Sequence, residues 1–164
     1  MSLPKETSDK KVNFEFNKEF ISVFSKKIKD NDTEFLNITL KEQHPADSAD
    51  IIENLSPEDR SKLIELEGFN LDPEIFTELN ESIKTDVFIL LSIESIVNIL
   101  KRLESDNALK IIENLDEKKK NIVLDKLPPK DRFLLQEGLS YPEDSAARIM
   151  QREFTAIPSN WSVG

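Results

Sequence analysis

One five-residue sequence, Ile-Ile-Glu-Asn-Leu, occurs twice in the chain, at residues 51–55 and again at residues 111–115. Each copy is followed by a polar turn and then by a second apolar stretch. Self-similarity of this kind is typical of repeat proteins, in which each helix pair buries its apolar face against the next pair. Looser copies at residues 75–79 and 96–100 show that the repeat is degenerate. The sequence therefore predicts a short superhelix of stacked helices.

Helix starts are marked at regular intervals along the chain. A capping residue precedes Pro at His44-Pro45, Ser56-Pro57 and Asp72-Pro73, and an acidic residue follows in each first turn. The cap side chain accepts hydrogen bonds from free backbone N–H groups, and Pro loses none at the first helical position. Further starts are predicted at Asn80, Ser92, Ser105, Asp116, Pro128 and Tyr141. Helices of roughly two to three turns result, and these are too short to be stable unless they pack together.

The first part of the chain predicts a longer amphipathic helix. Its apolar face is an aromatic stripe with a spacing of four residues, formed by Val12, Phe16, Phe20, Phe24 and Ile28. We expect this stripe to pack against a second helix capped by Asp32 rather than to hold a cofactor. Alternation of apolar and polar residues is absent until the last dozen residues, so no sheet is expected in the body of the chain, and residues 154–158 are predicted to be extended. The predicted fold class is all-α.

Composition argues against catalysis. The 164 residues include no Cys, one His and 3 Gly, which excludes thiolate chemistry, disulfides and a Gly-rich phosphate loop. The single histidine, His44, stands at a helix start, where a capping role is favoured over a catalytic one. The longest apolar run, at residues 87–91, is too short to span a bilayer. We therefore expect neither an enzyme nor direct insertion into a membrane.

The acidic charge is concentrated in the later part of the chain. Residues 1–43 contain 8 acidic and 8 basic side chains, so the whole net charge of −10 lies in residues 44–164. Such a surface repels nucleic acid and anionic lipid, and solubility is its simplest explanation. Carboxylates without thiols suit hard cations such as Mg²⁺ or Ca²⁺, although no EF-hand loop is present. A weak Mg²⁺ site is allowed by this composition but is not required by it.

Three segments resemble a known family. They are residues 44–55, the Leu-Pro-Pro at 127–129, and the sequence Tyr-Pro-Glu-Asp-Ser-Ala-Ala-Arg-Ile-Met at 141–150. Together they are similar to the cytosolic N domain of MgtE-type magnesium transporters. The last segment resembles that family's Y-P-E-D-S-A-G-R-L-M signature, with Ala147 where the family often has Gly. The resemblance covers about residues 33–164 of the chain.

The resemblance implies a right-handed superhelix of short stacked helices, similar to armadillo proteins and to the flagellar motor switch protein FliG. It also implies a domain order. Residues 1–11 would be a leader, either disordered or added by cloning, and residues 12–140 the N domain. Residues 141–153 would form a connecting helix, and residues 154–164 the truncated start of a CBS domain.

The function implied by the resemblance is regulatory. The chain would be a Mg²⁺-sensing domain at the cytoplasmic face of the cell membrane, in a dimeric transporter whose other parts are CBS domains and a transmembrane pore. At high Mg²⁺, ions between the N and CBS domains would neutralise facing carboxylates and hold the transporter closed. This is a population shift caused by a ligand that binds one arrangement only. No nucleic acid partner is expected.

Two candidate metal ligands follow from motif position within the family. Glu74 and Asp106 match the N-domain acids that contact Mg²⁺, although the helix dipole favours acids at both positions in any case. Lys110 replaces an acid that some relatives use, and a backbone carbonyl near Arg148 is a further candidate contact. The Mg²⁺ would be bound weakly and shared with the CBS domains, so the isolated chain need not bind it.

A second interpretation is a helical protein–protein adaptor without ion binding, of which FliG is an example. The signature at residues 141–150 favours the magnesium sensor, because in the family this segment leads to CBS domains.

Overall fold

The computed structural model describes residues 18–68 and 70–151, without the side chain of Ile149. Within these residues the chain is helical and has no strand, so the predicted all-α class is confirmed. Each described helix is too short or too polar to cross a lipid bilayer. The helices are α1 (Lys18–Lys29), α2 (Thr33–Glu42), α3 (Pro45–Asn54), α4 (Pro57–Glu67), α5 (Pro73–Glu78), α6 (Glu81–Leu90), α7 (Ile93–Leu100), α8 (Ser105–Glu113), α9 (Glu117–Lys126), α10 (Pro129–Ser140) and α11 (Ala146–Ile149).

Most helices begin where capping residues predict. The Ser56 hydroxyl accepts a hydrogen bond from the backbone N of Asp59 at 3.1 Å, at the start of α4. Nδ1 of His44 accepts one from the backbone N of Ala46 at 3.3 Å, so the predicted capping role of this histidine is confirmed. These bonds satisfy N–H groups that have no partner within their own helix.

The helix start predicted at Tyr141 is wrong. The structure has a turn at residues 141–145, and α11 begins only at Ala146. Ser145 closes this turn, since its backbone N and its hydroxyl both donate to the carbonyl of Pro142, at 3.1 and 2.7 Å. Pro142 therefore belongs to a turn and does not occupy the first position of a helix.

Packing follows the order of the helices along the chain. Helices two positions apart contact each other: α3 with α5, α4 with α6, α7 with α9, and α8 with α10. The α5–α8 contact joins the helices around the first copy of the repeat to those around the second copy. Ile51 and Ile52 in the first repeat copy, like Ile111 and Ile112 in the second, are completely buried. This is the stacking of helix pairs that the repeat predicts.

The aromatic stripe packs as expected where it is described. Phe24 is fully buried, and its ring centroid lies 6.0 Å from that of Phe20 and 6.3 Å from that of Phe35 in α2. Val12 and Phe16, together with the predicted segments 1–11 and 154–164, lie outside the described residues.

A cation from one helix satisfies the end of another helix at several places. Arg60 in α4 is only 6% exposed and donates to the carbonyls of Ile52, Glu53 and Leu55 at 3.1, 3.2 and 3.1 Å. These carbonyls end α3, and the last four carbonyls of a helix have no partner within it.

Lys62 and Lys84 also donate to the carbonyls of Lys29 and Thr77, at the ends of α1 and α5. We use the name cationic caps for the three cations that each reach two or three acceptors: Arg60, Lys119 and Arg148.

Lys119 in α9 is the second cationic cap. Its ammonium group donates to the carbonyls of Phe88, Ile89 and Leu91, at 2.6, 3.3 and 2.9 Å, and so satisfies the end of α6. Burial against this helix end lowers the pKa of Lys119 from the ordinary lysine value.

Candidate metal-binding site

Asp106 lies in the first turn of α8, where the helix dipole favours negative charge. One carboxylate oxygen, Oδ1, is buried and has no hydrogen-bond partner among the described residues. Leaving a buried polar atom without a partner costs about 1–3 kcal/mol, and more when the group is charged. This oxygen therefore lacks the partner that a buried carboxylate oxygen normally has.

Asp106 contributes to the wall of a cavity of about 320 Å³. The cavity lies between α8, the start of α6 and the segment that follows α10. Four of its lining side chains are carboxylates and two are cations. The lining residues are Glu81, Asp106, Leu109, Lys110, Glu113, Asn114, Glu143 and Arg148.

The carboxylates in the cavity differ in how their charge is compensated. Glu113 forms a salt bridge with Arg148, whereas Asp106 and Glu143 form none within the described part of the chain. The second cation, Lys110, is exposed and donates to Oδ1 of Asn107 at 3.2 Å. Uncompensated negative charge remains beside Asp106.

Arg148 is the third cationic cap, and it fixes one wall of the cavity. Its side chain is 8% exposed; Nε donates to Oε1 of Glu113 at 2.5 Å. Nη1 donates to the carbonyls of Gly138 and Tyr141, both at 3.0 Å, at the end of α10. One guanidinium thus holds residues 141–148 against α8. The predicted contact between Mg²⁺ and a backbone carbonyl near Arg148 stays a prediction.

The other predicted ligand, Glu74, lies elsewhere. It is exposed in the first turn of α5, and its backbone N donates to Oδ1 of Asp72 at 3.1 Å. α5 packs against α8, yet Glu74 is not among the residues lining the cavity of Asp106. Among the described residues, no three side chains of the metal-binding types are grouped to hold an ion.

Sequence reasoning did not select Glu113 or Glu143. Glu113 belongs to the second copy of the repeat, and Glu143 belongs to the 141–150 segment, so each had a signal of its own. Glu113 lies seven residues after Asp106 on the same face of α8, so helix periodicity could have selected it. Glu143 reaches the cavity only because the 141–148 turn packs on α8, which its motif does not specify.

Comparison with known proteins decides the family. Residues 43–144 match the family described as the MgtE intracellular N domain, which includes both Glu74 and Asp106. The chain belongs to this family. The match ends at Asp144, just before the Ser145 turn closure and Arg148. No curated protein matches the sequence of this MgtE N domain.

Solved structures share the fold of this MgtE N domain. The soluble part of a magnesium transporter matches with a TM-score of 0.72 at 20% identity, covering 87% of this chain and 57% of the other. The cytosolic domain of the Mg²⁺ channel MgtE, in complex with ATP, matches with a TM-score of 0.69 at 23% identity, covering 84% and 56%. This chain therefore spans just over half the length of these proteins.

Proposed function

We propose that this chain is the regulatory, Mg²⁺-sensing domain of an MgtE-type magnesium transporter. The family to which it belongs is defined by a transporter's intracellular domain and is not an enzyme family. In this proposal the domain lies at the cytoplasmic face of the membrane, attached to CBS domains and a pore domain in a homodimer. Residues 12–140 form the sensing domain, residues 141–153 the connection, and residues 154–164 the start of the first CBS domain.

The unpartnered Oδ1 of Asp106 carries this proposal. A Mg²⁺ ion retains several waters and needs only one or two protein carboxylates, so a complete cage of protein ligands is not necessary. Asp106 offers such a carboxylate, and Glu143 adds uncompensated negative charge at the same cavity. These residues fit a hydrated Mg²⁺ shared with a second acidic surface.

Glu74 is proposed as a second, weaker contact. Its carboxylate is exposed at the start of α5, where it can reach a facing domain but is not preorganised by a cavity. Asp106 should therefore contribute more to Mg²⁺ affinity than Glu74. Lys110, at the wall of the same cavity, supplies a positive charge that opposes Mg²⁺ there.

Regulation follows from charge repulsion between facing carboxylates. Without Mg²⁺, the acidic surfaces of the sensing and CBS domains repel each other, and the open arrangement is favoured. With Mg²⁺ bound, this repulsion is relieved in the closed arrangement only, so the population shifts toward it. The shift is limited by the difference in Mg²⁺ affinity between the two arrangements.

The proposal can be tested by small-angle X-ray scattering on the protein extended through its CBS domains, during a Mg²⁺ titration. We expect the radius of gyration to decrease as Mg²⁺ is added. Asp106→Asn should require about tenfold more Mg²⁺ for half of this change, which corresponds to about 1.4 kcal/mol. Glu74→Gln should require about threefold more.

Glu58→Gln is the matched control. Glu58 is exposed and follows Pro57 in the first turn of α4, just as Glu74 follows Pro73 in α5, and it does not line the cavity. Its substitution should leave the titration unchanged. If Asp106→Asn also leaves the Mg²⁺ titration unchanged, as the control does, then other residues bind the Mg²⁺. No compaction at any Mg²⁺ concentration would contradict the sensor and favour the adaptor.

A further inference from the structure

The end of α6 exposes more apolar surface than the core requires. Five apolar residues occupy positions 87–91, but a helix can turn only a stripe of its surface toward the core. Val87, Phe88 and Leu91 are buried, whereas Ile89 is 70% exposed and Leu90 is 46% exposed. We call Ile89 and Leu90 the α6 ridge.

Three hollows surround the α6 ridge. One of about 230 Å³ contacts both ridge residues and lies against the first half of α4. A second, of about 280 Å³, lies beyond Leu90 along the later part of α4. A third, of about 100 Å³, lies beyond Ile89 toward the start of α9. A ridge between hollows is a shape that can interdigitate with the side chains of another helix.

The exposed charged side chains that line the three hollows are carboxylates, whereas the cations of the first and third hollows, Arg60 and Lys119, are buried and half-buried. Each hollow has one exposed carboxylate in its lining: Asp86, Glu65 and Asp116, respectively. None of the three forms a salt bridge with a described residue. The nearby cations, Arg60 and Lys119, direct their N–H groups to the backbone carbonyls that end α3 and α6.

These exposed carboxylates limit which kind of partner can bind to the α6 ridge. A second copy of the chain would bring the same carboxylates into contact with each other, and like charges across an interface are unfavourable. An anionic lipid surface would be repelled for the same reason. A partner with lysine or arginine beside its apolar residues would instead be attracted.

We propose that the α6 ridge is a docking surface for a basic amphipathic helix of a partner protein. Apolar side chains of that helix would enter the hollows on either side of Ile89 and Leu90, and its basic residues would face Asp86, Glu65 and Asp116. Well-packed apolar residues at the centre of an interface dominate its affinity, so Ile89 and Leu90 carry most of the binding. This proposal is independent of the Mg²⁺ site, because Asp106 and Glu74 line none of the three hollows.

The test uses a synthetic peptide of about 14 leucine and lysine residues arranged to give one apolar helical face, and the same peptide with glutamate in place of lysine. Binding is measured by fluorescence anisotropy on the whole chain. The basic peptide should bind, and the double substitution Ile89→Asn with Leu90→Asn should weaken its binding by at least about tenfold. Phe133→Asn, at a residue 65% exposed on α10, is the matched control and should change binding less than about twofold.

A second variant tests the contribution of charge to binding separately from that of apolar contact. It leaves Ile89 and Leu90 unchanged, so it is informative even if the first variant does not fold. Asp86→Asn with Glu65→Gln should weaken binding by about threefold and reduce its dependence on salt. Equal binding of the acidic peptide, or an equal loss in Phe133→Asn, would overturn the proposal. So would self-association of the unmodified chain in sedimentation velocity that Ile89→Asn abolishes, because a second copy would then be the occupant.

Discussion

The two copies of Ile-Ile-Glu-Asn-Leu have the same apolar packing and different polar contacts. In each copy the two isoleucines are completely buried, and Leu55 and Leu115 are 4% and 6% exposed. In each copy the asparagine side chain donates to the carbonyl four residues before it, at 2.8 and 2.9 Å. The glutamates differ. Glu53 accepts from the backbone N of Asn80 at 2.6 Å, whereas Glu113 accepts from the guanidinium of Arg148 at 2.5 Å.

The cations that follow the two copies differ as well. Arg60 and Lys120 each stand nine residues after the first isoleucine of their copy. Arg60 caps the end of its own copy, while Lys120 forms a salt bridge with the exposed Glu117 at 2.8 Å. The apolar residues thus determine how a helix pair stacks, and the polar residues determine which neighbouring segment is attached to it.

Arg60→Ala should have the largest effect on this comparison. Three carbonyls at the end of α3 would lose their donor in a buried environment, and we expect the free energy of unfolding to fall by about 3 kcal/mol. Lys120→Ala removes one pair with an exposed glutamate and the packing of a side chain that is 17% exposed, and should cost about 1 kcal/mol or less. Urea unfolding followed by far-UV circular dichroism measures both values. Equal losses would mean that the two positions are equivalent despite their different contacts.

The two glutamates provide a smaller contrast. Glu113→Gln leaves the buried guanidinium of Arg148 without its counter-charge and should cost about 1.5 kcal/mol, less than for a fully buried pair because Glu113 is partly exposed. Glu53→Gln keeps an oxygen that can accept from Asn80 and should cost about 0.5 kcal/mol. The same unfolding experiment compares them. A larger loss for Glu53→Gln would contradict the different roles assigned to these residues.

Lys119 gives the smallest effect, which depends on pH. Its pKa is lower in the folded chain than the ordinary lysine value of 10.5. Between these two pKa values the unfolded chain binds more protons, so stability rises with pH in that window. The arginine of Lys119→Arg stays charged in both states, so this variant should lack the rise in stability with pH. Urea unfolding midpoints of the unmodified chain and the variant, measured at pH about 8 and about 10, test this expectation. A decrease in stability between these two pH values for the unmodified chain relative to Lys119→Arg would reverse the sign expected from burial.

Local signals in the sequence were sufficient for most of the fold. The starts at Pro45, Pro57 and Pro73 were predictable because a cap side chain and the backbone N–H that donates to it lie within three residues of each other. The start at Tyr141 was predicted wrongly because two local interactions compete there. A Tyr-Pro-Glu-Asp sequence favours a helix start, but Ser145 closes a turn onto Pro142 instead.

The candidate site was less predictable than the fold. Asp106 came from motif position in the family, and its role as a ligand stays a prediction. Glu113 meets Arg148 across a separation of 35 residues, and no local pattern reports such a contact. The cavity itself depends on this pair, because Arg148 holds the 141–148 turn against α8. Sequence patterns of short range could therefore locate Asp106 and its neighbours on the same face of α8, but not Glu143 and Arg148.

The cationic caps have a consequence for sequence divergence. Arg60 and Lys119 donate to main-chain carbonyls, and those acceptors persist whichever residue supplies them. Substitution of the side chains at the ends of α3 and α6 therefore preserves these hydrogen bonds. Only the cation that donates at each end, Arg60 or Lys119, is constrained. A stack of helices joined in this way can retain its geometry as most of its residues drift, in line with a TM-score of 0.72 at 20% identity.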